Sequence, residues 1–198
     1  MARKQKIPRA GTVDSRQRLI QTAGRLFRVQ GYHATGLNQI LEESQAPKGS
    51  LYYYFPDGKE QLAGEALGCA GVELSEKLKA LGELTASEAL DRLLELSIAE
   101  LEASDYRDGC PIATVALETN STSEPLRKVC QQIFDRALQI LQQWLISKGA
   151  SPERAELLAL TVFSAYEGAL ILSKVRRSPE PLRQVAGQMK HLLGVVLG

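Results

Sequence analysis

The sequence predicts an all-α protein, with a small three-helix head at the N-terminus on a larger helical body. Three observations predict it. Apolar residues recur with helical spacing through almost every segment, no run alternates apolar and polar as a half-buried strand would, and short clusters of Gly, Pro, Ser and Asp separate the segments. With 198 residues, 44% hydrophobic and 24% charged, the chain can bury a sizeable core, and disordered and collagen-like classes are excluded.

The elements follow in order. The first helix is expected at Asp14–Gln30, with Leu19, Ile20, Ala23, Leu26 and Phe27 on one stripe. Asp14 or Ser15 can cap it, and Gly31 ends it. A short second helix follows Thr35 and turns Leu37, Ile40 and Leu41 inward. Gln45-Ala46-Pro47 breaks it, because the residue before a proline is pushed out of the helical region. A third short helix, Lys48–Phe55, ends at the turn Pro56-Asp57-Gly58. The head therefore spans residues 1–58 and the body 59–198.

The body opens with a long helix over Lys59–Leu81. Gly64, Gly68 and Gly71 recur along it, each costing about 1 kcal/mol against alanine, and close packing against a neighbour explains them. A second reading lets this weakened helix shift when the body is filled. Further helices are expected at Ser87–Glu102, Pro111–Glu118, Glu124–Ser147, Pro152–Val175 and Pro181–Leu197.

Charge is divided unevenly. Residues 1–60 hold ten Lys/Arg against five Asp/Glu, whereas the remainder is net acidic, although the whole chain is only +1. Arg3, Lys4, Lys6 and Arg9 form a basic N-terminal arm. Such a basic quarter is the footprint of a nucleic-acid-binding head, or simply a solvated tail and helix face. Three scattered cysteines (Cys69, Cys110, Cys130) and two histidines point away from a disulfide framework and from a metal site. His33 and His191 are expected as surface residues. No apolar leader follows Met1, and the apolar stretch Leu157–Leu172 is shorter than the ~20 residues of a membrane span and carries Glu167. A cytoplasmic chain without cofactor, metal or membrane partner is expected.

Two short helices joined by a tight break form a helix-turn-helix, whose second helix is slim enough for a DNA major groove. At about 100° per residue, Leu51, Tyr54 and Phe55 share one face and Gly49, Tyr52 and Tyr53 the opposite one. Exposed phenols bracketed by Lys48 and Lys59 suit DNA, because hydroxyls bond phosphates and rings pack on thymine methyls. Gly49 lets the backbone approach closely.

The run Gly31-Tyr32-His33-Ala34-Thr35, Ile40, Pro47-Lys48-Gly49-Ser50-Leu51-Tyr52-Tyr53-Tyr54-Phe55 and Lys59-Glu60-Gln61-Leu62 resembles the head of the TetR family of bacterial transcriptional regulators. Gly109-Cys110-Pro111-Ile112 in the body is similar to its LmrA/YxaF-like branch. The resemblance implies an all-helical dimer that binds a palindromic operator, usually as a repressor released by a small ligand. It also implies that Thr35 caps the second helix against a phosphate, and that Lys48 and Gly49 face base edges. Tyr52, Tyr53 and Lys59 would hold the DNA backbone, with Ser50 in the same set. Two departures stand out. Gln45 occupies a turn position where the family usually has glycine. Three residues rather than two separate Phe55 from Lys59, which fits the LmrA/YxaF-like branch.

In the body, Leu157–Leu172 is apolar nearly all round, so both faces should be covered. Ser164, Ala165, Gly168 and Ala169 permit close approach of a partner helix. The last helix adds a stripe of Leu182, Val185, Ala186, Met189, Leu192, Leu193 and Val196. Val185, Met189 and Leu192 join the expected twofold, four-helix interface. Phe134, Leu138, Leu141, Trp144, Phe163 and Tyr166 are expected to line a pocket for an apolar or aromatic ligand, with Glu167 and Cys110 as polar groups. Two rivals remain at this point. One is a DNA-binding protein on the same scaffold that recruits or blocks a protein partner. The other is an enzyme, for which the chain offers no nucleophile–base spacing, phosphate loop or metal cluster, Cys110 being the only tempting nucleophile.

Overall fold

The computed structural model describes residues 14–197; the basic arm and the side chain of Val196 lie outside the described residues. Among the described residues the chain forms nine α-helices: α1 (Ser15–Gln30), α2 (Leu37–Ser44), α3 (Ser50–Tyr54), α4 (Gly58–Lys79), α5 (Ala86–Ala103), α6 (Pro111–Thr119), α7 (Glu124–Ser147), α8 (Pro152–Arg176) and α9 (Glu180–Leu197). Local chemistry explains the boundaries. Asp14, not Ser15, accepts the Arg16 amide to start α1, and Gly31 ends it at φ 84°. Thr85 and Glu88 form a reciprocal capping box on α5, and Ser123 and Ser151 cap α7 and α8, each ahead of a proline in the first turn.

The third helix is shorter than expected. Both the amide and the hydroxyl of Ser50 bond the Pro47 carbonyl, at 2.8 and 2.6 Å, so Lys48 and Gly49 form a turn and the helix begins at Ser50. The preceding break is closed by Gln45 in the left-handed region (φ 52°, ψ 30°). The backbone keeps the geometry that suits glycine, and Gln45 adopts it at a steric cost.

Packing does not respect the head–body division. One core joins Leu19, Phe27, Ile40, Leu51, Phe55 and Leu67 to Ile112 and Val115 of α6 and Leu126 and Cys130 of α7. A second joins the end of α4 to α5, α7, α8 and α9. Helix α4 runs through both, packed along α1 and α7. Its glycines are not equivalent. A Cβ on Gly71 would lie 2.8 Å from Ile133 Cγ1 of α7, so close packing explains that residue. Gly64 has Val129 at 3.9 Å and Gly68 faces open space.

Helix α8 runs one residue beyond the expected Pro152–Val175. At 25 residues and mean hydropathy 1.5 over its most apolar stretch, it is long and apolar enough to cross a membrane, yet only 33% of that stretch is buried. Its inner face (Ala155, Leu158, Ala159, Val162, Phe163) packs into the body. Its outer face is apolar and open.

Candidate nucleic-acid interface and body cavity

The recognition segment is anchored from behind and bare in front. Ile40, Leu51 and Phe55 are fully buried, whereas Tyr52 is 63% and Tyr53 79% exposed. Lys48 and Gly49 are exposed beside them, and nothing lies within 4 Å of the place a Gly49 Cβ would take. Tyr54 lies between the two faces, half-buried. Its hydroxyl donates to Asp14 Oδ1 at 3.2 Å, and its ring stands edge-on to Tyr53 at 5.0 Å. Burial and the Asp14 carboxylate both raise the Tyr54 pKa, keeping the hydroxyl a donor. Asp14 therefore caps α1 and steadies α3 together.

Two residues expected at a phosphate are engaged elsewhere. Thr35 is completely buried, and its hydroxyl donates to the Gly31 carbonyl at 2.6 Å. The N-cap of α2 is Gly36, which lacks a side-chain cap, so Thr35 braces the loop instead of capping the helix. Lys59 places its ammonium 4.2 Å from the Tyr32 ring centroid, a cation–π contact. Burial lowers its pKa and nearby Glu118 opposes that shift. Ser50, as described, spends its hydroxyl on Pro47.

The head is fastened to the body through α6. Glu118 accepts the His33 amide at 2.7 Å, and His33 Nε2 lies 3.1 Å from the Glu118 carbonyl. His33 is exposed, as expected, but it is a junction residue. Ser123 at the start of α7 donates to Glu60 of α4. At its other end α6 begins on Cys110, whose sulfur accepts the Ala113 amide at 3.4 Å.

Cys110 also lines a cavity of about 590 Å³. Of the expected lining, Cys110, Leu141, Phe163, Tyr166 and Glu167 are present. Phe134, Leu138 and Trp144 are not. Phe134 wedges against Phe163 at 5.7 Å where two cores meet, Leu138 packs in the body core, and Trp144 Nε1 donates to the Leu81 carbonyl at 3.1 Å beside a separate void of about 20 Å³. The wall that sequence reasoning missed is α5, through Leu90, Leu94, Ser97 and Leu101. Their helical spacing was visible, but it marks a core stripe and a cavity wall alike. Arg28 and Lys77 also line it, paired with Glu73 at 3.7 Å and with Glu100.

The polar part of this wall is desolvated. Ser97 Oγ and the Tyr166 hydroxyl are 2.7 Å apart, and burial pushes the Tyr166 pKa to about 12. Burial raises the Glu167 pKa, opposed by the Cys110 thiol beside it. Burial, then the Glu167 charge, drive the Cys110 thiol far above its ordinary value, so it stays protonated and is a poor nucleophile. Among the described residues no three His, Cys, Asp or Glu side chains gather into a metal site.

On the outer face of α8, Leu157, Leu160, Ser164, Ile171, Leu172 and Val175 stand exposed within a stripe about 120° wide; Gly168 lies on it. Leu192 and Val195 of α9 are exposed too. Ala165 borders the stripe, half-buried. Three expected interface residues turn inward instead. Ala169, about 120° round the helix from Val175's direction, packs with Leu101 and Leu182, while Val185 and Met189 face the protomer's own core and cavity.

A helix-turn-helix head with a bare phenolic face, carried on a hollow helical body, is the architecture of a DNA-binding transcriptional regulator. Residues 19–66 match the bacterial regulatory proteins of the tetR family, and residues 86–188 match the C-terminal domain of LmrA/YxaF-like transcriptional regulators. The chain belongs to the TetR family. It is 37% identical to the uncharacterized HTH-type transcriptional regulator YxaF of Bacillus subtilis, over 91% of this chain and 95% of that protein. It is 36% identical to the HTH-type transcriptional regulator LmrA of the same organism, over 91% and 97%. The HTH-type transcriptional repressor DhaR of Mycobacterium sp. is 27% identical, over 85% and 87%. In fold, the chain is similar to a TetR transcriptional regulator from Legionella pneumophila, with TM-score 0.80, 20% identity, and coverage of 92% and 98%. The family is one of regulators, not enzymes.

Proposed function

We propose that this regulator is a cytoplasmic repressor that binds a palindromic operator as a homodimer and is released by a small apolar or aromatic effector. The exposure of Tyr52 and Tyr53 above the buried Leu51 and Phe55 carries the DNA-binding geometry. Lys48 and Gly49 meet base edges and the two phenols meet the backbone. The open apolar stripe of α8 and α9 pairs the protomers, setting two α3 helices one DNA turn apart, roughly 34–36 Å. A relative named a repressor supports the sign of regulation.

The apolar cavity favours a ligand sensor over a protein-recruiting regulator, because a filled core would have left nothing to sense with. Helix α6 offers the coupling path, since its first turn lines the cavity and its Glu118 grips the head. Coupling requires that effector and DNA favour different settings of that helix.

Selection of bound sites from random duplexes tests this reading. An enriched inverted repeat is expected, together with sedimentation as a dimer that Leu160→Glu dissociates. Enrichment of no sequence, or of a single half-site by a monomer, overturns it.

A further inference from the structure

The cavity contains a buried acid with no ionic partner among the described residues. Four acids line it. Glu73 and Glu100 face Arg28 and Lys77, and Asp108 lies in the α5–α6 connection next to Arg107. Glu167, in the middle of α8, has no cation within ion-pair reach among the described residues, and its Oε2 is buried without a hydrogen-bond partner. Of the basic residues on the wall, Arg25, Arg28 and Lys77 each face a carboxylate, although the Arg28 Nε is buried without a hydrogen-bond partner, and Arg107 donates only to the neutral Ser104 carbonyl at 3.1 Å. A ligand group that reaches the middle of α8 meets Glu167, which has no protein cation in ion-pair reach among the described residues. A buried acid in this position calls for a donor, and a positively charged donor supplies the hydrogen bond and the countercharge together.

The neighbours favour the same chemistry. Phe163 and Tyr166 bring aromatic rings to the wall, and the faces of such rings attract cations. The remaining lining is largely aliphatic, with leucine its commonest residue. The volume of about 590 Å³ suits a drug-sized molecule.

We propose that the cavity takes a lipophilic organic cation, an apolar or aromatic body carrying one ammonium group, and that Glu167 pairs with that group. This inference rests on the reading of the cavity as the effector site and adds the charge of the ligand. The thiol of Cys110, at the start of α6, stands against the same carboxyl. A cation drawing the Glu167 carboxylate toward itself would therefore act directly on the helix that holds the head.

A charge ladder of fluorescent probes tests it on the full chain. Dansylcadaverine carries a free ammonium, its N-acetyl derivative is neutral, and dansyl-6-aminohexanoate is an anion of similar length. Fluorescence titration is expected to give at least tenfold tighter binding of the ammonium probe than of the neutral one, with the anion weakest. Glu167→Gln is expected to reduce the ammonium preference to within about threefold. Equal binding of cation and neutral probe by the wild type overturns the inference but leaves the cavity as an effector site, as does a preference that survives in Glu167→Gln. Failure of all three probes to bind overturns the cavity reading and this inference with it. The wild-type comparison decides the matter alone if the variant does not fold.

Discussion

The backbone amide of His33 and the carboxylate of Glu118, 85 positions apart in the chain, meet in a 2.7 Å hydrogen bond. The contact exists because Gly31, two residues earlier, lacks a side chain. A Cβ there would sit 1.9 Å from Glu118 Oε1. One glycine thus serves twice: its φ of 84° turns the chain out of α1, and its empty side admits the body's carboxylate to the head.

Gly31→Ala should therefore lower the unfolding free energy by about 1–3 kcal/mol, the cost of forcing a side chain into a sparsely allowed backbone region. Part of the loss is collision with Glu118. In a Glu118→Ala background the same substitution should cost less, a non-additivity that urea denaturation of the four proteins in the cycle can measure. Strict additivity would mean that the carboxylate does not occupy that space.

Gln45→Gly tests the turn of the helix-turn-helix. A left-handed residue with a side chain costs about 1–2 kcal/mol, and glycine returns part of that as chain entropy in the unfolded state. A net gain of about 0.5 kcal/mol is expected in thermal or urea unfolding. A loss would show that the Gln45 side chain makes a contribution outweighing its strain.

The chain order of all nine helices was legible because periodicity and punctuation agree along this sequence. Ser123 and Ser151 followed by prolines are unambiguous starts. The first turn of α3 was not legible, because the competition between helix and turn is decided by the Ser50 hydroxyl on the Pro47 carbonyl. Thr35 was misread for a similar reason. The family resemblance makes it a cap, but its burial draws the hydroxyl to Gly31. In α8 the stretch Leu157–Leu172 is apolar nearly all round, so the pattern alone could not say which way Ala169 points; its packing with Leu101 and Leu182 decides it. The cavity was only half legible, since Leu94 and Leu101 obey the same spacing whether they touch a neighbour or line a void.

Glu167 should make stability depend on pH in a defined direction. Its folded pKa is raised above the unfolded value by burial. The fold thus favours the neutral acid, and that contribution is complete below the ordinary glutamate pKa of about 4.3 and lost as pH rises through the folded value. Glu167→Gln, which stays neutral, should gain in Tm relative to the wild type as pH is raised from about 4 to 8. A gap that is constant over this range would mean that the carboxyl is better solvated than its surroundings indicate.

The central claim is that α3 and the turn before it present Lys48, Gly49, Tyr52 and Tyr53 to a duplex. Anisotropy titration of a selected inverted-repeat duplex, comparing the wild type with Lys48→Ala/Tyr53→Ala, tests it most directly. Both side chains are exposed, so the Tm of the variant should be unchanged. Its affinity should fall by about two orders of magnitude, with a shallower salt dependence because one lysine–phosphate or lysine–base contact is gone. An equally tight complex with the same salt slope would contradict the account and place the DNA-contacting surface elsewhere on the head.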